Sequence, residues 1–152
     1  MDNMKEVLYK LDDFCTANKI EYMVTGTVAL AMLGVPSNPN DIDIKVFHLK
    51  EEQEAKLKEL QFLSSPGKEN YEGKCYTFEI CGIKVNALID NTESYDEIAY
   101  QKVTLDIIDK AQAAHRLINV QPVFLALRDK MKLRRCKDKT YMLNLIANLA
   151  LL

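Results

Sequence analysis

Residues 22–46 bring a strand, a helix and a second strand together around one glycine turn, in the stretch YMVTGTVALAMLGVPSNPNDIDIKV. Residues 22–25 are apolar and rich in β-forming side chains, which predicts a buried strand. Gly26-Thr27 interrupts this run, and residues 28–33 predict a short helix with Thr27 as its N-cap. After a loop with two prolines, residues 41–47 alternate between polar and apolar side chains, which predicts a half-buried strand.

The rest of the chain predicts more elements of both kinds. Helical periodicity or charge patterning predicts helices in four further segments, 4–18, 51–60, 122–136 and 140–152. Alternation or β-forming residues predict strands in four others, 76–80, 83–89, 102–107 and 117–120. The first two of these strands form a hairpin around Cys81-Gly82. This order predicts a mixed, mostly antiparallel sheet covered by helices, of the α/β or α+β class.

Length and composition limit the chain to an ordinary globular protein. Its 152 residues predict a single domain over 1–152, with the helices of about 122–152 packed on it. Lysine plus arginine count 20 and aspartate plus glutamate 22, a net charge of −2, which argues against a general nucleic-acid binder. The longest apolar run without a charge, 22–35, is shorter than the ~20 residues that span a bilayer. We therefore expect no membrane association.

The cysteines and histidines argue against a zinc site. No pair among the four cysteines has C-x-x-C spacing, and His48 and His115 lie far apart in the chain. No apolar stretch follows the first residues, so we expect no signal peptide. Free thiols in a reducing cytoplasm are the simplest interpretation.

The strand predicted over 41–47 carries the residues that point to chemistry. Its alternation places Asp41 and Asp43 on one face, where a hard divalent cation such as Mg²⁺ would relieve their mutual repulsion. Gly26 allows a ligand to approach the backbone closely, and the start of the helix after it offers unpaired N–H groups to a phosphate. Two carboxylates beside a phosphate site indicate metal-assisted phosphoryl or nucleotidyl transfer.

This stretch resembles the polymerase-β-type nucleotidyltransferase superfamily. The resemblance is greatest to its small bacterial branch, which contains aminoglycoside, minimal and antitoxin-type members. It rests on six positions: Gly26, Thr27, Ala29, Gly34, Asp41 and Asp43. It implies a nucleotidyltransferase-like fold and transfer of a nucleoside monophosphate from a nucleoside triphosphate to a hydroxyl acceptor.

The resemblance also implies roles for individual residues. Asp41 and Asp43 would be catalytic and hold Mg²⁺, and Gly26 and Thr27 would cradle the triphosphate. Lys130 would contact the phosphates, because residues 121–148 resemble the C-terminal part of that branch. The acceptor is left open between a small molecule, a protein side chain and an RNA end.

One catalytic position departs from the pattern. The superfamily has a third carboxylate on a later strand, and Asn86 stands at the matching position here. An amide cannot act as a general base and is a weaker metal ligand than a carboxylate. Glu79 or Asp90 could supply the missing charge. The alternative is a catalytically degenerate protein that acts as a binding or antitoxin-like regulatory module.

The C-terminal segment leaves two questions open. A basic cluster over 128–139 is either a solvated helix surface or a contact for a triphosphate or nucleic acid. The terminal Leu151-Leu152 either faces the core or packs against a protein partner or a second copy of the chain.

Overall fold

A seven-stranded sheet forms the centre of the fold in the computed structural model, which describes residues 2–35, 37–60, 68–70, 73–90, 102–110, 112–123, 125–127 and 143. The helices of this part of the chain are α1 (Asp2–Ala17), α2 (Gly26–Met32) and α3 (Glu51–Glu59). The strands are β1 (Glu21–Thr25), β2 (Ile42–Phe47), β3 (Lys68–Asn70), β4 (Gly73–Ile80), β5 (Ile83–Asp90), β6 (Val103–Asp109) and β7 (Ala114–Val120).

The sheet is mixed and mostly antiparallel, as the sequence predicts. Its strand order is β3-β4-β5-β2-β1-β7-β6. Only the pairs β1–β7 and β2–β5 among these strands are parallel. The predicted hairpin is confirmed as β4–β5, and its turn residues Cys81 and Gly82 have φ values of 50° and 79°. Two positive φ values are the signature of the type I′ turn that suits the twist of a two-residue hairpin.

One face of the sheet carries the hydrophobic core. Apolar side chains of β2 and β5 alternate onto this face, where Ile44 and Val85 are almost fully buried. Helix α1 lies against the same core with Leu8 and Leu11, and α3 contributes Leu57. Because most apolar residues of the central strands point to this side, most of their polar neighbours are left on the opposite face, together with the buried Met23 and Phe47.

Helix α2 differs from the prediction at its first turn. It begins at Gly26, and its N-cap is Thr25, whose backbone is extended and whose side chain makes no capping hydrogen bond. The prediction of Thr27 as N-cap is wrong, because Gly26 adopts a φ of 65° and turns the chain into the helix directly at the end of β1. The helix ends as predicted, with Gly34 just beyond it at a φ of 91°.

The C-terminal segment is described only at its start. Residues 123 and 125–127 are helical, and Ala126 packs against Leu30 and Val35 in a small apolar cluster. The remainder of the helices predicted over 122–136 and 140–152 lies outside the described residues except for Leu143, as do Lys130 and the basic cluster. Within the described part of the chain, no helix is long and apolar enough to cross a membrane.

Candidate active site

Four polar residues lie side by side across four adjacent strands on the face opposite the core. The strand register pairs Thr25 with Asp43, Asp43 with Asn86, and Asn86 with Thr77. We call these four residues the polar row. Directly opposed residues in a sheet lie about 4.5–5.5 Å apart between their α-carbons, so each side chain reaches its neighbour.

A chain of hydrogen bonds links three members of the polar row. The Thr77 hydroxyl donates to Asn86 Oδ1 at 3.1 Å. Asn86 Nδ2 donates in turn to Asp43 Oδ1 at 3.0 Å. The amide thus accepts on one side and donates on the other, which sets the orientation of the Asp43 carboxylate.

Asp43 also lies against the glycine at the β1–α2 junction. A Cβ atom built on Gly26 would be 2.9 Å from Asp43 Oδ2, which is too close for any real side chain. The Gly26 N–H donates to Oε1 of the buried Gln121 at 3.4 Å. The two oxygens of Asp43 therefore face different neighbours, Oδ1 facing Asn86 and Oδ2 facing Gly26.

Asp41 lies at the entrance to β2, two residues before Asp43 and on the same face. Its carboxylate is 3.9 Å from the Lys84 ammonium, and about half of each side chain is exposed. An ion pair of this length and exposure contributes little to stability. A cation or a substrate group can therefore replace Lys84 at low energetic cost.

The two carboxylates considered as substitutes for a third acid lie outside the polar row. Glu79 opposes Lys84, in the neighbouring row that contains Asp41. Asp90 opposes Phe47, four residues along β5 from Asn86, and its buried carboxylate is 3.7 Å from the Lys45 ammonium. The position directly beside Asp43 is held by Asn86.

The donor set fits a cation that is shared with a phosphate. Among the described residues, no group of three or more histidine, cysteine, aspartate or glutamate side chains is placed to hold a metal ion. Mg²⁺, however, is commonly held by one or two carboxylates together with substrate phosphates and water. Asp41 and Asp43 supply such a pair, and the missing side chain at Gly26 allows Asp43 Oδ2 to lie close to the start of α2.

Two residues at this site escaped the sequence analysis. Thr77 lies on the polar face of the predicted hairpin, so the hairpin register alone could have placed it opposite Asn86. Gln121 follows β7, whose pattern is short, and only the parallel β1–β7 pairing brings it to Gly26. No local sequence signal marks a contact of that kind.

Comparison with solved structures shows that the fold is nucleotidyltransferase-like. A Thermotoga maritima protein described as a "putative nucleotidyltransferase" superposes with a TM-score of 0.64 at 18% identity, covering 97% of this chain and 95% of its own. An antigenic nucleotidyltransferase-like protein from Paracoccidioides brasiliensis has a TM-score of 0.58 at 15% identity, covering 99% of this chain and 77% of its own. The chain therefore has a nucleotidyltransferase-like fold, which confirms the predicted fold class.

The comparisons made with the sequence alone find no such likeness. No family model matches the chain, and no curated protein matches it. The similarity is thus one of structure, and a shared fold does not by itself define an activity.

Proposed function

We propose that this protein is a nucleotidyltransferase that moves a nucleoside monophosphate from a nucleoside triphosphate to a hydroxyl acceptor. The observation that carries the proposal is the close approach of Asp43 Oδ2 to Gly26, with Asp41 directly before the same strand and on the same face. This arrangement brings the Asp43 carboxylate to the point where the backbone carries no side chain, and a second carboxylate lies two residues earlier on the same face. A metal–triphosphate complex needs both features in one place.

The residues of the site would have different roles, namely metal binding, phosphate binding and positioning of a carboxylate. Asp41 and Asp43 would hold Mg²⁺, and Gly26 and Thr27 would line the position of the β- and γ-phosphates. Asn86 holds the Asp43 carboxylate in place through its hydrogen bond. The acceptor hydroxyl releases its proton to water as its oxygen forms a bond to the α-phosphorus, the bond from that phosphorus to the bridging oxygen breaks, and pyrophosphate leaves. Bound Mg²⁺ would supply positive charge against the charge of the phosphates.

Calorimetric titration of the four nucleoside triphosphates, with and without Mg²⁺, tests the proposal. We expect one of them to bind wild type in a Mg²⁺-dependent manner, and Asp43→Asn to weaken that binding more than tenfold because it removes a charged ligand. Asp106→Asn is a matched control, since Asp106 is an exposed carboxylate on β6, paired with His115. Equal affinity of wild type and Asp43→Asn would refute the assignment.

The amide in the polar row favours a second candidate function. Asn86 lies where a third acid would complete the site, so the protein could bind nucleotide or a protein partner without performing transfer. This binding-module hypothesis predicts nucleotide binding with no release of pyrophosphate. Pyrophosphate release from wild type that disappears in Asp43→Asn would exclude it.

A further inference from the structure

We propose that Asn86 is a positioning residue that prevents the site from binding a divalent cation on its own. The proposal deepens the function proposed above and rests on it in one respect, namely that the cation then arrives together with the triphosphate. It concerns the charge and orientation of groups around Asp43. It can therefore be tested by metal binding without any turnover.

The direction of the hydrogen bonds determines which end of the Asn86 amide faces Asp43. Because the Thr77 hydroxyl donates to Asn86 Oδ1, the NH₂ group of Asn86 is the part that faces Asp43. An amide NH₂ donates hydrogen bonds and offers no lone pair to a metal ion. The β5 side of Asp43 is consequently occupied by a neutral donor at 3.0 Å from Oδ1.

The charged groups around Asp43 also affect how a free cation binds. Within the polar row Asp43 is the only carboxylate, and the neighbouring Asp41 faces the Lys84 ammonium at 3.9 Å. In the described part of this face, an incoming cation therefore meets the carboxylates of Asp41 and Asp43, and beside Asp41 it competes with an ammonium group. Mg²⁺ loses its bound water molecules only with difficulty, and proteins usually bind it through one or two carboxylates together with substrate phosphates. Such a site should bind the free ion weakly and the ion–triphosphate complex much better.

The fold contains a matched control for this arrangement. On β6–β7 the Thr104 hydroxyl donates to Asn119 Oδ1 at 2.9 Å, which repeats the Thr77–Asn86 bond across another antiparallel pair. The pairing of Val24 with Val120 puts Met23, not a carboxylate, beside Asn119 on β1. Replacing Asn119 by aspartate thus adds the same charge to the same kind of pair without an acidic neighbour on β1.

The experiment measures Mn²⁺ binding in the absence of nucleotide by calorimetry, for wild type, Asn86→Asp and Asn119→Asp. We expect Asn86→Asp to bind Mn²⁺ at least tenfold more tightly than wild type, because it turns a neutral donor into a third oxygen ligand. Asn119→Asp should match wild type. Circular dichroism verifies folding, and the melting temperature of Asn86→Asp should rise with added Mn²⁺ while that of Asn119→Asp does not.

A second pair of variants tests the orientation of the amide. Thr77→Val removes the hydroxyl that holds Asn86, and we expect it to reduce the affinity for the Mn²⁺–triphosphate complex several-fold. Thr77→Ser keeps the hydroxyl and should restore the affinity. A purely structural role of Thr77 would instead lower the melting temperature of Thr77→Val and leave its affinity for the complex unchanged, which would contradict a positioning role.

The outcomes separate this inference from the function it deepens. Equal Mn²⁺ affinities of Asn86→Asp and Asn119→Asp would overturn the role of Asn86, whatever the nucleotide does. Tight Mn²⁺ binding by wild type without nucleotide would overturn it as well. If only Asn86→Asp gains affinity for Mn²⁺ and no nucleoside triphosphate binds to wild type, the role of Asn86 would be supported. The same result would count against the nucleotidyltransferase proposal.

Discussion

At the scale of single residues, the site depends on the lack of a Cβ atom at Gly26. Gly26 has a φ of 65°, and its missing Cβ is what lets Asp43 approach the β1–α2 junction. The sequence predicts close approach at this glycine. The register between β1 and β2 decides that Asp43 is the group that approaches.

Gly26→Ala should damage the fold and the site together. The left-handed backbone costs a non-glycine residue roughly 1–2 kcal/mol, and the new methyl group must also displace the Asp43 carboxylate, with its oxygen 2.9 Å away. We expect lower stability in denaturant titrations and loss of Mg²⁺-dependent nucleotide binding. Gly82→Ala is the control, because Gly82 has a φ of 79° and open space around its Cβ position. Equal effects of the two variants on binding would contradict this explanation.

The position of Asn86 is predicted from the sequence, but whether another acid lies beside Asp43 is decided by the sheet. The resemblance identifies its position as that of a third acid, and the strand register places it beside Asp43. The sequence alone leaves open whether Glu79 or Asp90 supplies the charge of the missing third carboxylate. The sheet puts both in other rows, because a residue two or four positions along a strand lies about 7 or 13 Å away.

At the scale of elements, the partly buried Arg116 joins α1 to the β6–β7 hairpin. Arg116 donates to Asp109 at 2.9 Å, to Asp13 at 2.7 Å and to Asp12 at 3.3 Å. Its guanidinium also lies 5.1 Å from the centre of the Tyr9 ring. Hydrogen bonding to Asp13 is the main cause that raises the pKa of Arg116 above its usual value.

Replacing Arg116 by methionine should destabilise the protein strongly. Asp109 is almost fully buried and would lose its arginine partner, and breaking a buried ion pair by removing one member costs about 3–5 kcal/mol. The loss is measurable as a lower free energy of unfolding in urea. Lys56→Met provides the comparison, since the Lys56–Glu59 pair is exposed and should be worth within about 1 kcal/mol. A comparably small loss for Arg116→Met would mean that water replaces the arginine.

The elements also show which patterns predict structure reliably. Helix α1 and the β4–β5 hairpin follow from strong periodicity and from a two-residue turn with glycine. Strands β6 and β7 extend beyond the predicted 102–107 and 117–120. Their exposed face carries apolar residues such as Ile108 and Leu117, so alternation is weak there and the pairing between the strands sets their length.

At the scale of the whole molecule, the core controls ionisation as well as packing. Cys15 on α1 is fully buried, and this burial raises the pKa of its thiol to about 12. The unfolded chain releases the same proton near a pH of about 8.5–9. Between these values the folded state binds more protons than the unfolded state, so stability falls as pH rises.

This linkage predicts that the free energy of unfolding depends more steeply on pH in wild type than in Cys15→Ala. Wild type should lose up to about 1.4 kcal/mol per pH unit above pH ~9 through this thiol, and the variant should lose none of that part. The variant begins less stable at pH 8 because of the cavity it leaves, and the gap should narrow as pH rises. Unfolding in urea at pH 8, 9, 10 and 11 measures both curves. Parallel curves would show that Cys15 does not titrate differently in the two states.

By itself the sequence determined the local elements, the mixed class of the sheet and the position of Asp41 and Asp43 on one polar face. Those features follow from periodicity and turn chemistry, which act over a few residues. Only the tertiary structure decided that Asn86 and Thr77 join Asp43 in one row, that Gln121 reaches Gly26, and that Arg116 holds α1. These contacts join residues from about 10 to more than 100 positions apart. They are created by strand order and register, which are set by the free energy of the whole chain and not by any short segment.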